Sequence, residues 1–383
     1  MAAVKGPAFD ADTVLADPER RIVVCCGSGG VGKTTTAAAM AVRAAEQGRR
    51  VVVLTIDPAR RLAQALGLEE LDNTPRPVEG IDTSAGGSLE AMMLDMKRTF
   101  DEVVEAHSSP EKAAQILANP FYIAVSSSFA GTQEYMAMEK LGQLHEQMVQ
   151  GARDWDLIIV DTPPSRSALD FLDAPQRLGS FLDGRFIRLM TAPAKVGGRA
   201  SLKVFSAGVG LANTVMSRLL GGDFLRDVQT FIAATDTMFG GFRQRADATY
   251  ALLARPETAF VVVAAPERDA LREAGYFIDR LASDRMPPAG MVVNRLHVTR
   301  ARKISADRAE EGAEHLEAKG DHDLAAAVLR VHAELAGTAA RQRSVLARFR
   351  TSHPGVPLAT VPAQPVDVHD IQGLRDVGAA LHG

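Results

Sequence analysis

A glycine-rich loop near the N-terminus carries the clearest chemical signal in the sequence. Its residues are Gly27-Ser28-Gly29-Gly30-Val31-Gly32-Lys33-Thr34, a spacing typical of a phosphate-binding loop between a strand and a helix. Glycines let successive backbone N–H groups point at phosphate oxygens, where the helix dipole also favours negative charge. We expect Lys33 to contact the β and γ phosphates and the Thr34 hydroxyl to bind Mg²⁺. A glycine-rich turn without a ligand is the alternative, which the complete spacing disfavours.

Two carboxylates follow strand-like apolar runs. Asp161 comes directly after residues 157–160, and this position beside a phosphate loop predicts a second anchor for Mg²⁺. A cap for the turn Thr162-Pro163-Pro164 is the alternative role for Asp161. Asp57 ends another run, and a carboxylate near the γ-phosphate would orient or deprotonate the attacking water. For Asp57 the alternative is an N-cap of a helix over residues 60–66.

The elements that would position these groups form a strand–helix–strand unit. Residues 21–26 and 50–56 are β-branched apolar runs, and the alanine-rich segment 34–47 between them favours a helix. Further strand-like runs occur at 157–160, 260–264, 291–294 and 357–361, and a last helix is predicted over 371–381. Buried strands rich in Val and Ile predict an α/β fold, with a parallel P-loop NTPase sheet flanked by helices.

A helical subdomain is predicted as an insertion in this core. Apolar residues between 202 and 232 recur at three- and four-residue spacing, and the stretch from Leu89 to Gln150 also has a mostly helical pattern. We therefore assign residues 1–90, 151–175 and 255–383 to the P-loop core and residues 91–150 and 176–254 to the subdomain. Nine of the 13 methionines lie between Met92 and Met238, which indicates either an adaptable apolar groove or the filling of a helical core.

Composition excludes several classes of protein. The 43 basic and 47 acidic residues give a formal charge of -4, so nucleic acid is not an expected partner. The two cysteines, Cys25 and Cys26, are adjacent and would point to opposite faces of a strand, which excludes a disulfide framework. The longest apolar runs are far shorter than the roughly 20 residues of a spanning helix. We expect a cytoplasmic protein without an integral membrane segment, peripheral to a membrane only through a partner.

Several further motifs together resemble the ArsA-type ATPase family, which includes arsenite-pump ATPases and ATPases that deliver tail-anchored proteins. The motifs are Asp57-Pro58-Ala59, the segment 161–172, Pro266-Glu267, Val292-Val293-Asn294-Arg295, and Val361-Pro362 leading into Gly373-Leu374. The resemblance implies ATP and Mg²⁺ as cofactors and a dimer that closes on the nucleotide. It implies that Asp57 activates water, that Glu267 contacts nucleotide near the dimer interface, and that Asn294 reads the adenine edge against residues 362–365. Glu267 as a favourable charge at a helix N-terminus and Asn294 as a turn residue are the alternatives.

These assignments give one set of expected site residues. The catalytic residues are Lys33 and Asp57. The metal ligands are Thr34, Asp57 and Asp161. The nucleotide-binding residues are Gly27, Ser28, Gly29, Gly30, Val31, Gly32, Lys33, Thr34, Thr35, Glu267, Asn294, Arg295 and Pro362.

The departures from the family pattern bear on partners. Where family members carry a second loop lysine that acts across the dimer, this chain has Ser28, and a serine supplies neither the charge nor the reach. We therefore expect a heterodimer with a paralogous ATPase subunit that keeps this lysine. A homodimer in which Arg60 or Arg166 supplies the charge is the alternative. Clustered cysteines are absent, which disfavours arsenite because As(III) prefers thiolates.

The expected function is ATP hydrolysis that couples dimer closure to binding of a protein or other cargo. The sequence leaves two alternatives. One is a regulatory subunit of a heterodimeric ATPase, with little turnover of its own. The other is a MinD-like positioning ATPase, disfavoured because residues 371–383 lack the basic amphipathic pattern of a membrane anchor.

Overall fold

A computed structural model describes residues 6–120, 122–123, 126, 132–163, 244–286, 288–320 and 322–382, and these residues form both strands and helices. The strands are β1 (Ile22–Cys26), β2 (Arg50–Thr55), β3 (Arg76–Pro77), β4 (Ser88–Met93), β5 (Leu157–Asp161), β6 (Thr258–Ala264), β7 (Pro288–Leu296) and β8 (Leu358–Pro362). The helices are α1 (Ala11–Leu15), α2 (Lys33–Glu46), α3 (Arg61–Ala65), α4 (Met96–Ala106), α5 (Pro110–Leu117), α6 (Thr132–Val149), α7 (Arg268–Ser283), α8 (Ala306–Lys319), α9 (Asp323–Ser352) and α10 (Ile371–Ala380).

The described strands form one sheet in the order β3-β4-β2-β5-β1-β6-β7-β8. Every neighbouring pair is parallel except β3 and β4. All residues of β1, β5 and β6 are buried, as expected for parallel strands that are covered on both faces. The predicted fold class, a parallel α/β sheet with flanking helices, is confirmed.

Small side chains bring α2 close to the sheet. Its alanines at 37–39, 41, 44 and 45 are completely buried. Helix α10 packs on the same helix, and Arg375 of α10 lies 2.7 Å from Glu46 at the end of α2. Because alanine combines high helix propensity with little volume, α2 packs closely, and the glycine loop enters its N-terminal end.

Strand β4 corrects the sequence-based expectation of a mostly helical stretch from Leu89 onward. Residues 88–93 instead extend the sheet beside β2, with Val53 opposite Ala91. The sheet therefore reaches Met93, three residues beyond the boundary predicted at residue 90. Leu, Glu, Ala and Met favour helices, so local propensity gave no strand signal, and pairing with β2 decided the conformation.

The described residues fall into two compact units. One comprises residues 6–93, 147–163 and 253–382, and it contains the sheet. The other comprises the described residues between 94 and 146 and between 244 and 252. The predicted subdomain residues from 176 to 243 lie outside the described residues, so the predicted division into core and subdomain stays a prediction.

Side chains of α6 in the second unit form ion pairs with α4 and with Arg245. The ammonium of Lys140 lies 2.7 Å from Glu102, and the guanidinium of Arg245 lies 2.9 Å from Glu139. Met136 and Met138 of α6 are completely buried. For these two methionines the core-filling interpretation holds, whereas Met190, Met216 and Met238 lie outside the described residues.

Candidate functional site

The glycine loop runs from the end of β1 to the start of α2 and packs closely against the ends of two neighbouring strands. Gly27 has a φ of 149°, and a Cβ atom there would lie 2.1 Å from the carbonyl oxygen of Val263 in β6. Gly32 has a φ of 93°, and a Cβ atom there would lie 2.1 Å from Nδ2 of Asn294. Both positions therefore require glycine, for conformation and for space.

Lys33 lies within this loop. Its ammonium donates a hydrogen bond to the carbonyl oxygen of Ser28 at 2.8 Å, and the residue is only 5% exposed. Burial lowers the pKa of Lys33, while the nearby carboxylates of Asp161 and Asp57 favour the charged form. The loop thus combines a cation with the N–H groups of a helix N-terminus, an arrangement suited to phosphate.

Asp161 ends β5, is completely buried and faces the loop. Its Oδ2 atom accepts hydrogen bonds from the hydroxyls of Thr34, at 2.8 Å, and Thr55, at 2.9 Å. Its Oδ1 atom is buried and has no hydrogen-bond partner among the described residues. Burial raises the pKa of Asp161 to about 6. A buried carboxylate with one free oxygen next to a threonine hydroxyl supplies the oxygen ligands that Mg²⁺ prefers, so these residues fit the expected metal.

The alternative role for Asp161, a cap of the following turn, receives no support from its contacts. The backbone N–H and the hydroxyl of Thr162 both donate to the carbonyl oxygen of Cys25, at 3.2 Å and 2.9 Å. The Asp161 carboxylate is directed to threonines of other elements instead.

Asp57 follows β2 and borders the same cavity as Lys33 and Thr34. Its Oδ1 atom accepts a hydrogen bond from the N–H of Ala59 at 3.0 Å. Helix α3 begins only at Arg61, and its N-cap residue is Arg60. Asp57 therefore stabilises the turn before the helix and is not its N-cap, while its side chain remains beside the phosphate loop.

Two cavities flank the loop. The first, of about 780 Å³, has a volume common for small-ligand sites, and its lining includes Thr34, Thr35, Asp57, Asn294, Arg295 and Pro362. The second, of about 450 Å³, is lined by Ser28, Gly29, Gly30, Val31, Glu267 and Arg295 among others. The structure thus places most of the predicted residues around the first cavity and Glu267 in the second.

Asn294 supports the loop directly. Its Nδ2 atom donates to the carbonyl oxygen of Val31 at 2.9 Å, and its Oδ1 atom accepts from the N–H of Arg295 at 2.9 Å. Both ends of the amide thus have partners within the chain. The predicted contact of Asn294 with adenine stays a prediction.

Sequence reasoning missed two residues of this site. Thr55 lies opposite Asp161 in the β2–β5 register and donates to its carboxylate, and Arg61 borders the first cavity. Thr55 could have been identified from the sequence because it is a hydroxyl residue at the end of a predicted strand next to the strand of Asp161. Arg60, one of the predicted replacements for the missing lysine, lines a different cavity beside Glu70 and Met93. Arg166 and the rest of the predicted segment 164–172 lie outside the described residues.

The parallel sheet, the phosphate-binding loop and the Thr34–Asp161 pair define a P-loop nucleotide-binding protein. A sequence model of the anion-transporting ATPase family, ArsA, matches residues 20–315, and the chain belongs to this family. The predicted resemblance is thereby confirmed. Membership also supports the prediction of an ATPase that uses ATP and Mg²⁺. None of the helices in the described ranges is long and apolar enough to cross a membrane.

Individual relatives share a limited part of their length with this chain. The protein Rv2184c of Mycobacterium tuberculosis is 32% identical over 175 residues, which cover 43% of this chain and 40% of that protein. A putative arsenical pump-driving ATPase of Halobacterium salinarum is 29% identical over 197 residues, covering 49% and 29%. ATPase GET3 of Malassezia globosa is 27% identical over 165 residues, covering 43% and 45%. The chain therefore spans less than half the length of each of these relatives.

Proposed function

We propose that the chain binds ATP with Mg²⁺ at the glycine loop and hydrolyses it to ADP and phosphate. The observation that carries this proposal is the hydrogen bond of 2.8 Å between the Thr34 hydroxyl and the buried Asp161 carboxylate, whose second oxygen is free among the described residues. This pair joins the start of α2 to the end of β5, beside the Lys33 ammonium. Family membership and the names of the relatives, which include ATPases, support the same activity.

Different residues of the site have different roles in the proposed reaction. Loop N–H groups and Lys33 hold the phosphates, and Thr34 with Asp161 would hold the metal. When bound, Mg²⁺ would supply positive charge that neutralises the phosphate oxygens. Asp57 orients a water molecule toward the γ-phosphorus and accepts its proton. The water oxygen forms the new bond to phosphorus, the bond from the γ-phosphorus to the bridging oxygen breaks, and ADP leaves with that oxygen.

Lys33→Ala tests the site itself. We expect the affinity for a fluorescent ATP analogue with Mg²⁺ to fall at least about 100-fold, because a charge-assisted contact to phosphate is lost and the loop N–H groups alone remain. Lys319→Ala is the matched control, since Lys319 is exposed at the end of α8. Unchanged affinity in Lys33→Ala would remove the loop from the proposed activity.

We also propose that nucleotide binding closes a dimer and couples it to a protein cargo, in the cytoplasm, with membrane contact only through a partner. Relatives named as arsenical pump-driving and GET3 ATPases support a coupled role of this kind. The missing loop lysine at Ser28 supports a paralogous partner subunit. It also supports the second candidate function, a regulatory subunit with little turnover of its own. Steady-state phosphate release by the purified chain separates the two candidates, because a regulatory subunit would release almost none.

A further inference from the structure

Arg295 occupies an unusual place at the end of β7. Its φ of 59° lies in the left-handed region, which is uncommon for a residue other than glycine. The β7–β8 pairing is irregular between Val293 and Leu296, and irregularities of this kind redirect side chains near functional sites. The Oδ1 atom of Asn294 accepts the backbone N–H of Arg295 and so fixes this turn.

The turn brings the Arg295 side chain to the phosphate-binding loop. Its NH1 atom donates to the carbonyl oxygen of Gly30 at 3.0 Å, and the side chain borders both cavities that flank the loop. Asn294 and Arg295 therefore hold two successive loop carbonyls, those of Val31 and Gly30.

Within the part of the chain that the structure describes, no ion pair neutralises the positive charge of Arg295. Among the described residues, no carboxylate lies within ion-pair distance of Arg295, whereas the Arg375 guanidinium lies 2.7 Å from Glu46. Arg295 is exposed, so its charge is accessible to a ligand in either cavity. Glu267, Asp269 and Glu273 also line the second cavity, but none of them is within ion-pair distance of Arg295. An arginine next to an anion-binding loop and without a carboxylate at ion-pair distance among the described residues is suited to pair with phosphate oxygens.

We propose that Arg295 supplies, within the same chain, the second positive charge that Ser28 cannot give to the loop, and that its guanidinium binds phosphate oxygens of the nucleotide. This inference rests on the proposed ATP site. A guanidinium has five N–H donors, and the contact with Gly30 uses one of them. The charge belongs to this subunit, so it acts without a lysine from a partner.

The loop geometry favours Arg295 over Arg60 and Arg61. Arg60 lines a separate cavity. Arg61 borders the first cavity, but no hydrogen bond links it to the loop within the described residues. Arg295 contacts the loop backbone directly, and its backbone is held by the same asparagine that supports the loop.

Three variants test this assignment: Arg295→Ala, Arg295→Lys and Arg295→Gly. Glycine adopts a φ of 59° without strain, so a loss in Arg295→Gly with unchanged thermal stability cannot come from misfolding. Arg300→Ala is the matched control, since Arg300 is an exposed arginine shortly after Arg295 in the chain and has no hydrogen bond or ion pair with the loop among the described residues. The readouts are the affinities for fluorescent ATP and ADP analogues with Mg²⁺, and phosphate release.

We expect Arg295→Ala and Arg295→Gly to lower turnover about 100-fold, in the range for removal of one charge-stabilising group. Their affinity for the ATP analogue should fall about tenfold, the value of one charge-assisted hydrogen bond, and that for the ADP analogue less. Arg295→Lys should recover part of both effects. If both variants match Arg300→Ala in turnover and in affinity, the inference is overturned.

The same measurements separate this inference from the proposed function. If the wild-type chain fails to bind the ATP analogue, the proposed ATP site fails, and the role of Arg295 fails with it. If the wild-type chain binds but does not turn over, the affinities decide: an unchanged ATP affinity in Arg295→Gly overturns the inference, and a selective loss for ATP supports it.

Discussion

Asp57 has two roles in the proposed site, and one substitution separates them. Its Oδ1 atom accepts the N–H of Ala59, and its side chain borders the cavity that holds Lys33 and Thr34. Asparagine keeps an oxygen acceptor for Ala59 and loses the base. We therefore expect Asp57→Asn to retain ATP affinity within about threefold and to lower turnover about 100-fold, the typical contribution of a general base.

The measurement is single-turnover phosphate release together with analogue binding. Asp323→Asn, an exposed position in the first turn of α9, is the matched control. Equal rates for wild type and Asp57→Asn would restrict Asp57 to the turn that it stabilises.

The sequence predicts the local part of the site better than its long-range part. The loop motif requires Lys33 and Thr34 to be adjacent, and strand-end logic places Asp161 beside them, as observed. The Thr55 contact depends on the β2–β5 register, and the Arg295 contact depends on an irregular strand end with a left-handed residue. Neither the register nor a left-handed arginine has a local sequence signal.

At the scale of structural elements, two glycines in the loop between β1 and α2 allow a test of why glycine is required there. Alanine at Gly27 would bring a Cβ atom to 2.1 Å from the Val263 carbonyl oxygen, whereas alanine at Gly30 meets nothing within 4 Å. We expect Gly27→Ala to lower the free energy of unfolding by about 2–4 kcal/mol, from the clash and the strained φ. Gly30→Ala carries only the φ cost, about 1 kcal/mol.

Urea unfolding at constant temperature measures both losses of stability. The two variants share the substitution and the loop, but they differ both in the space available and in φ, which is 149° at Gly27 and 75° at Gly30. Equal losses would show that neither the contact with β6 nor the larger φ adds to the cost.

An ion pair connects helix α1 to α2, and it makes the free energy of unfolding depend on pH. The Arg43 guanidinium hydrogen-bonds both oxygens of Asp12 and lowers the pKa of that carboxyl to about 2. The ring of His382 also lies 3.0 Å from Asp12. An unfolded aspartate has a pKa of about 3.9, so this stabilisation is complete above about pH 4 and is lost as the pH falls toward 2.

We expect Asp12→Asn to lower the free energy of unfolding by about 1–2 kcal/mol at pH 7, less than the full pKa shift implies because the pair is partly exposed. The difference from wild type should shrink between pH 4 and pH 2 in urea unfolding. Asp17→Asn, in a more exposed pair with Arg20, should change stability by less than about 0.5 kcal/mol. A difference for Asp12→Asn that stays constant with pH would exclude the ion pair as its cause.

The sequence predicts the strands correctly where their side-chain composition indicates burial. It fails where only pairing with a neighbouring strand determines the backbone conformation. The Val- and Ile-rich runs of β1, β2, β5 and β6 are buried strands, as their composition indicates. The sequence of β4, Ser-Leu-Glu-Ala-Met-Met, favours a helix, and only the neighbouring β2 makes it a strand. Two-residue β3 contains Pro77 and has no periodic pattern at all. Short edge elements depend on tertiary contacts that a sequence window does not contain.

In the whole molecule, two sources of positive charge at the loop lead to different assemblies. The second cavity contains Ser28 and the carboxylates of Glu267, Asp269 and Glu273. An acidic cavity beside the loop favours a basic side chain from a partner, whereas Arg295 supplies its charge without one. The two are compatible if Arg295 supports a basal rate and a partner lysine raises it.

We therefore expect the purified chain to hydrolyse ATP slowly and to accelerate when a paralogous subunit that carries the second loop lysine is added. A trans-acting cation in phosphoryl transfer contributes about 10³ to 10⁵ in rate, so even a fraction of that effect is measurable above the basal turnover. Phosphate release is measured against paralogue concentration, with the paralogue's own lysine at the position of Lys33 replaced so that only this chain's site turns over. Light scattering on Asp57→Asn with ATP should show a complex of two subunits, because the trapped nucleotide holds the interface closed.

A paralogue whose second loop lysine is also replaced by alanine should bind without acceleration. If turnover instead rises with the concentration of this chain alone and gains nothing from the paralogue, the assembly is a homodimer and the heterodimer prediction is wrong.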